Sequence, residues 1–478
     1  MPSRHVSLAQ SEPPALREGL RRLRATLGVP SQFPAEVLAE AEHAAANPVL
    51  PSVDRTDIGF VTLDPEGSTD LDQAFHLERA GSGFRLLYAI ADVAAFVAPG
   101  GHLDTEAHAR GETLYAPTRK TPLHPSVLSE GAASLLPDQV RPALVWELDF
   151  DADGQATSTR VARALVRSRA KLSYTGAQAD LDAGRGGEQL ELLRTLGTLR
   201  LAVEAARGGV SLSVPEQEVV ATADRWELQF RAPLPVEDWN AQLSLATGMG
   251  AAKLMLDAGV GILRTLPPAR DGSLGKLRRT AAALGIRWPQ SQAYPEFVRS
   301  LDASVPAQAA MLNACTMLFR GAGYQAFRGT IPEQPLHAAI AAPYAHTTAP
   351  LRRLVDRYCG EICVAVCAGA DVPDWVSSTM AQLPAVMADS DRRAKKYERG
   401  VVDLVEAMVL APRLGQTFTG TVLEVDPEDD LGVLQIPDPA VEAKVKGSEL
   451  VLGEQVEATL VSADLLSGKV EFRILAPA

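Results

Sequence analysis

Three aspartates stand in one short stretch, Asp64, Asp70 and Asp72 in LDPEGSTDLDQAF. Carboxylates crowded this closely repel, by roughly 4 kcal/mol for unit charges about 4 Å apart at intermediate dielectric. Such a cluster persists where solvent screens it or cations neutralise it. Asp70 and Asp72 are two apart, so an extended backbone points both the same way. Oxygen-only donors suit hard Mg²⁺ or Mn²⁺, and those ions serve phosphoryl-transfer chemistry. Asp beside Pro and Gly is also ordinary turn chemistry, and spacing alone does not separate the two readings.

A distant motif offers positive charge. Tyr344-Ala345-His346-Thr347-Thr348-Ala349-Pro350-Leu351-Arg352-Arg353 is followed by Asp356. Pro350 predicts a helix start that places both arginines in the first turn, where paired guanidinium forks can clamp phosphate oxygens. The alternative is an arginine pair matched by Asp356 and Glu361. Two other basic runs stand out: Arg163, Arg167, Arg169 and Lys171, which share one face if extended, and Arg392 to Arg399, which reads as helical.

These residues need a frame. Ile58 to Leu63 reads as a strand that breaks into the Pro/Gly/Ser loop carrying the aspartates. Phe84 to Val97 is a strongly apolar strand signal. Ala143 to Phe150 and Thr157 to Leu172 read as a hairpin about Asp151-Ala-Asp153-Gly154. Helical periodicity covers 14–27, 34–46 and much of 187–258, and the absence of regular strand-helix alternation predicts an α+β fold. From 413 to 478, short strands between turn signals predict a five-stranded OB barrel. That gives three parts: 1–50, a helical segment read as a two-helix clasp or helix-turn-helix-like unit; 51–412, mixed α+β; and 413–478.

Composition limits the function classes. The net charge of -13 has the wrong sign for a general nucleic-acid binder, so any such contact is local. The terminal barrel is itself acidic, with four basic residues (Lys444, Lys446, Lys469 and Arg473) against twelve acidic ones from 415 to 478. No apolar run reaches the roughly 18 residues of a membrane helix, and the first residues lack a signal-peptide core, which points to the cytoplasm. Cys359, Cys363 and Cys367 recur on one helix face and Cys315 stands apart, a pattern of buried thiols rather than a metal set. His102, Asp104, Glu106 and His108 have ligand-type side chains but read as structural, and Asp92 as an organiser of local hydrogen bonds.

The segments FVTLDPEGSTDLDQAF, LYAIADVAAFV, LDTEAHARGETLY, SRAKLSY and YAHTTAPLRR, in this order over about 350 residues, resemble the catalytic domain of the ribonuclease II (RNB) exoribonucleases. The C-terminal barrel resembles that family's S1-type OB domain. The resemblance implies Mg²⁺-dependent hydrolysis of single-stranded RNA from its 3′ end, processively, to nucleoside 5′-monophosphates. It implies that Asp64, Asp70 and Asp72 hold metal, with Asp72 most needed for cleavage. Arg352 would stabilise the transition state and Arg353 would hold backbone phosphates. Tyr174 would stack on a base near the terminus, and Glu398 would touch the terminal nucleotide. No membrane or obligate protein partner is expected.

The departures are specific. Gln73 stands where the family usually has a fourth aspartate, offering a neutral carbonyl ligand and predicting weaker affinity for a second metal. Gly360-Glu361 replaces a customary His-Arg pair, and Ala309 falls near the place of a second stacking aromatic. About 50 helical residues precede the catalytic part, where bacterial members usually carry two cold-shock barrels, which predicts a differently built RNA entrance. Two rivals remain: an RNA-binding regulator on a weakened RNB fold, and an unrelated two-metal phosphodiesterase acting on DNA or small nucleotides.

Overall fold

A computed structural model describes residues 13–116, 119–211, 216–221, 226–231, 233–303, 305–426, 429–448 and 450–474. Five strands close a first barrel: β1 (Phe60–Asp64), β2 (Gln73–Ala80), β3 (Gly83–Ala91), β6 (Val140–Phe150) and β7 (Ala156–Ser173). Between them lie a small ribbon, β4 (Leu114–Ala116) with β5 (Arg119–Thr121), and the helix α3 (His102–Arg110).

The apolar run in β3 serves two cores at once. Phe84, Leu86, Tyr88 and Ile90 join one cluster and Leu87, Ala89 and Ala91 another, as strand alternation requires. The first cluster is covered by α5 (Gly187–Arg207) and α6 (Pro235–Ala258). The second is covered by α2 (Ala35–Ala46) and the segment around Phe96. The strand is shorter than its apolar pattern suggests. It stops at Ala91, because the Asp92 amide turns to donate to Pro142 O at 3.2 Å and its carboxylate takes Arg163 Nε at 2.8 Å.

The β6–β7 hairpin forms where Asp and Gly predicted it. Asp151 Oδ1 accepts the amides of Asp153 (3.0 Å) and Gln155 (2.9 Å), and Gly154 takes a φ of 78°. β7 is long enough to do two jobs. Its first part pairs antiparallel with β6, and its last residues pair parallel with β1, with Asp64 opposite Ser173. This parallel seam closes the barrel and carries Asp64 and Tyr174 to one end. Ser173 then caps α4 (Tyr174–Asp182), its Oγ accepting Gly176 N at 3.1 Å.

The C-terminal five strands also close, in the order Thr417–Asp426, Leu431–Ile436, Val441–Lys446, Lys469–Ile474, Gln455–Asp464. They share a core with the long helix Leu383–Leu410 and with α1 (Pro14–Leu27). A Cβ at Gly19 would meet Leu404 and Leu465 O within 3 Å, so the first helix lies tight in the angle between long helix and barrel. The two N-terminal helices part company: α1 enters the barrel core, while α2 packs beside α3, where Glu40 Oε2 accepts His102 N at 2.7 Å. Among the described residues they do not form a self-contained two-helix unit.

Candidate active site

The loop between β1 and β2 is pinned from several sides. Ser134 Oγ accepts Leu71 N at 2.9 Å and donates to Thr69 O at 2.8 Å. Lys171 Nζ donates to Ser68 O and Glu66 O at 2.6 and 2.7 Å. Asp72 O accepts Ala91 N at 2.9 Å. A turn-rich segment thus becomes a rigid shelf for carboxylates.

The arginine loop meets that shelf. Leu351 N donates to Asp72 Oδ1 at 2.7 Å, and Arg352 Nε lies 3.9 Å from Asp72 Oδ2. Arg352 is 45% exposed and makes no hydrogen bond to protein among the described residues, so its fork is free for a ligand. Asp72 is buried, and that burial drives its pKa well above the usual carboxylate range despite Arg352 and the Leu351 amide. Asp64 rises to about 7, through burial first and the neighbouring Asp70 second.

The three aspartates are neighbours but do not form one cage. Asp70 Oδ1 binds Lys120 Nζ at 2.8 Å, and Lys120 also reaches Glu130 Oε1 at 2.7 Å. Among the described residues no group of three His, Cys, Asp or Glu side chains is placed to share a metal. The donor chemistry, carboxylate oxygens alone, suits a hard divalent cation. Asp64 Oδ2 is buried and has no hydrogen-bond partner among the described residues, a costly state that a cation relieves.

The expectation of a helix starting at Pro350 needs correction. The helix begins at Leu354, with Arg353 at its N-cap position in extended conformation. Backbone pairing explains the delay: Thr113 N donates to Arg352 O at 2.9 Å and Leu354 N to Gly111 O at 3.0 Å, holding Arg353 extended after the turn that carries Arg352. The two arginines also differ in role. Arg353 turns inward and forks onto Asp356, with Nη2 to Oδ1 at 2.8 Å, and Asp356 Oδ1 also accepts Ala349 N at 2.8 Å. Two of its donors are therefore spent on the loop rather than left for phosphate.

Gln73 is not aimed as a ligand. Its Nε2 donates to Thr348 O at 2.7 Å, and its Oε1 accepts Tyr88 Oη and, at 3.2 Å, Ser244 Oγ. Tyr174 is half-buried near Asp64, with Asn240 Nδ2 donating to its Oη at 3.3 Å. Glu398, on the long helix, lies near enough for its charge to act on Tyr115 and Glu112. Three of the four basic residues on that face of β7 bind protein groups: Arg163 pairs with Asp92 and Glu361, Arg169 donates to Thr56 O at 2.6 Å, and Lys171 donates to Glu66 O and Ser68 O.

Two residues at the site carry no sequence signal of their own. Tyr115 sits within the fields of Arg352, Asp70, Asp72 and Glu398, and Lys120 is its cross-strand partner on the β4–β5 ribbon. Several readings hold as expected. Asp92 organises hydrogen bonds, and Asp104 and His108 serve structure through Arg357 (2.6 Å) and Tyr358 (2.9 Å). Cys359 and Cys363 are buried thiols, whereas Cys367, at the end of the helix, is exposed.

Residues 53–368 match the RNB domain, and residues 416–475 match the RNase II-type exonuclease C-terminal S1 domain. Ribonuclease R of Escherichia coli strain K12 is 27% identical over 401 residues, 78% of this chain and 48% of that protein. Ribonuclease R of Aquifex aeolicus is 24% identical over 498 residues, 94% of this chain and 69% of that protein. The chain spans about half the length of the first of these relatives. Among solved structures, Mycoplasma genitalium RNase R in complex with ribose methylated single-stranded RNA gives a TM-score of 0.86 at 20% identity, covering 97% of this chain and 78% of that one. Yeast Ssd1, a pseudonuclease, gives 0.68 at 16%, covering 87% of this chain and 53% of that one. At these identities the structural likeness establishes the fold, and with more than half its length matched the chain belongs to the RNB-domain family, carrying an S1-type barrel behind the catalytic fold.

Proposed function

We propose that this protein is a Mg²⁺-dependent exoribonuclease that hydrolyses single-stranded RNA processively from its 3′ end to nucleoside 5′-monophosphates. The observation that carries the reading is the meeting of Asp72 with the partly exposed guanidinium of Arg352 across the two loops. We place its work in the cytoplasm; among the described residues no helix is long and apolar enough to cross a membrane. The proposed division is a helical segment over 1–50, the catalytic part over 51–412 and the barrel from 413.

In this mechanism Asp64 and Asp72, with Asp70 beside them, would hold the divalent ion. When bound, Mg²⁺ supplies a Lewis acid and lowers the pKa of water. The rest is done by the chain. Arg352 meets the non-bridging phosphate oxygens, its charge matching that which builds up as the bond breaks. Arg353 keeps the loop in place through Asp356. Tyr174 offers a ring face to a base, an interaction indifferent to sequence, and Glu398 contacts the terminal nucleotide. Selection of ribose requires contact with the 2′-OH.

The test is release of monophosphates from 5′-labelled oligo-RNA with Mg²⁺, abolished by Asp72→Asn. An all-deoxyribose substrate cut equally well would point to a general phosphodiesterase. A second reading, an RNA-binding regulator of weakened catalysis, is favoured by one observation: Asp70 is engaged by Lys120 and Gln73 by Tyr88, Ser244 and Thr348. RNA binding without product under varied metals would establish that reading instead.

A further inference from the structure

Two oxygen positions beside the aspartates are already filled by protein donors. The ammonium of Lys120 sits on Asp70 Oδ1 at 2.8 Å and on Glu130 Oε1 at 2.7 Å. Its side chain is 15% exposed and that of Asp70 16%, so this is an enclosed charge pair rather than a surface contact that water can replace. The ribbon holds it there: Lys120 pairs across β4–β5 with half-buried Tyr115, on whose phenol the charges of Arg352, Asp70 and Asp72 act. At Gln73 no negative charge is present, and the side-chain oxygen already accepts from Tyr88 and Ser244. What remains open is Asp64 Oδ2, buried without a donor, and the face of Asp72 toward Arg352.

A centre for two divalent ions needs anionic oxygens to bridge or to face both, commonly with the ions about 3.5–4 Å apart. Here the charge that a second ion would bring is supplied in part by a lysine fixed to the same carboxylate. We propose that Lys120 is a tethered cation standing where a second ion would bind, so that the centre takes one divalent ion per chain. Lys120 is thus a positioning residue: it orients Asp70 and sets the ion number, without touching the reacting phosphate.

This inference rests on the metal reading of the proposed function, and counting ions separates the two without relying on cleavage. Full-length protein with a 2′-O-methyl oligoribonucleotide is titrated with Mn²⁺, and bound ions are counted from the electron paramagnetic resonance of free Mn²⁺. The expected result is one ion for wild type, two for Lys120→Gln, and one for Lys120→Arg, which keeps the charge. Thermal unfolding of each variant checks the fold. Two ions in wild type overturn this inference alone and leave the metal reading standing, and the wild-type count decides this even if Lys120→Gln does not fold. A folded Lys120→Gln protein that still binds one ion also overturns it. No bound ion in wild type removes the metal reading and this inference together.

Discussion

The amide of Leu351 donates to Asp72 Oδ1 at 2.7 Å, a bond that joins two loops 279 positions apart in the chain. It fixes the Asp72 carboxylate and brings Arg352, the next residue, toward its other oxygen. Asparagine at position 72 keeps an acceptor for that amide but loses the charge. Asp72→Asn is expected to unfold within a few degrees of wild type and to bind RNA, while cleavage falls by about 10²–10³-fold or more. A variant that retains a tenth of the activity would remove Asp72 from the chemistry.

The neighbouring arginines are expected to fail differently. Arg352→Ala should lower the cleavage rate by about 10²–10³-fold with little change in stability, since among the described residues its side chain is 45% exposed and makes only a 3.9 Å ion pair with Asp72. Arg353→Ala strands the buried Asp356 carboxylate and should cost about 3–5 kcal/mol of folding stability. Urea unfolding and single-turnover cleavage on both variants separate the two roles, and the opposite pattern would exchange them.

The pH response follows from Asp64, whose carboxyl is raised to about 7 by burial and then by Asp70. Between about pH 4 and pH 7 the metal-free folded protein holds this proton more firmly than the unfolded chain does. The contribution of Asp64 to stability therefore falls as pH rises through that window and levels off above it. A dication binds the ionised form, so Mg²⁺ should raise the melting temperature more near pH 8 than near pH 5.5. Equal gains at both pH values, or an undiminished difference in Asp64→Asn, would count against the assignment.

Gln73→Asp tests whether restoring a fourth carboxylate restores anything. The substitution removes the donor to Thr348 O and brings a negative charge against carbonyl and hydroxyl partners already arranged for an amide. The expected outcome is a lower melting temperature with no gain in cleavage rate. A faster enzyme would mean that the amide network is dispensable.

Tyr174→Ala should weaken binding of short oligo-RNA by about 1–3 kcal/mol, the loss of one stacked base, with a smaller effect on long substrates that have other contacts. Fluorescence anisotropy with oligonucleotides of graded length measures it.

Much of this frame is legible in residue order, for local reasons. Turn chemistry at Asp151–Gly154 and the periodicity of α1 and α2 are short-range signals, and they match the observed elements to within a residue or two. The aspartate stretch and the arginine motif stand out because several special residues sit together in each. Lys120 does not stand out, because a lysine in Arg-Lys-Thr of a small ribbon carries no pattern and its partner lies 50 positions away. The inward turn of Arg353 depends on the extended backbone imposed by residues 111–113, which helix-start rules do not contain. The role of Gln73 is likewise set by Tyr88, Ser244 and Thr348, brought near only once the barrel closes.

One strand, β7, both seals the first barrel against β1 and runs directly into Tyr174. Under the proposed function, force from a nucleotide leaning on that ring would be borne by the circumference of a closed barrel, not by a pliant arm. The gap between ring and carboxylates is gauged by strand register, so slippage of the seam by one position would misalign the grip and the blade together.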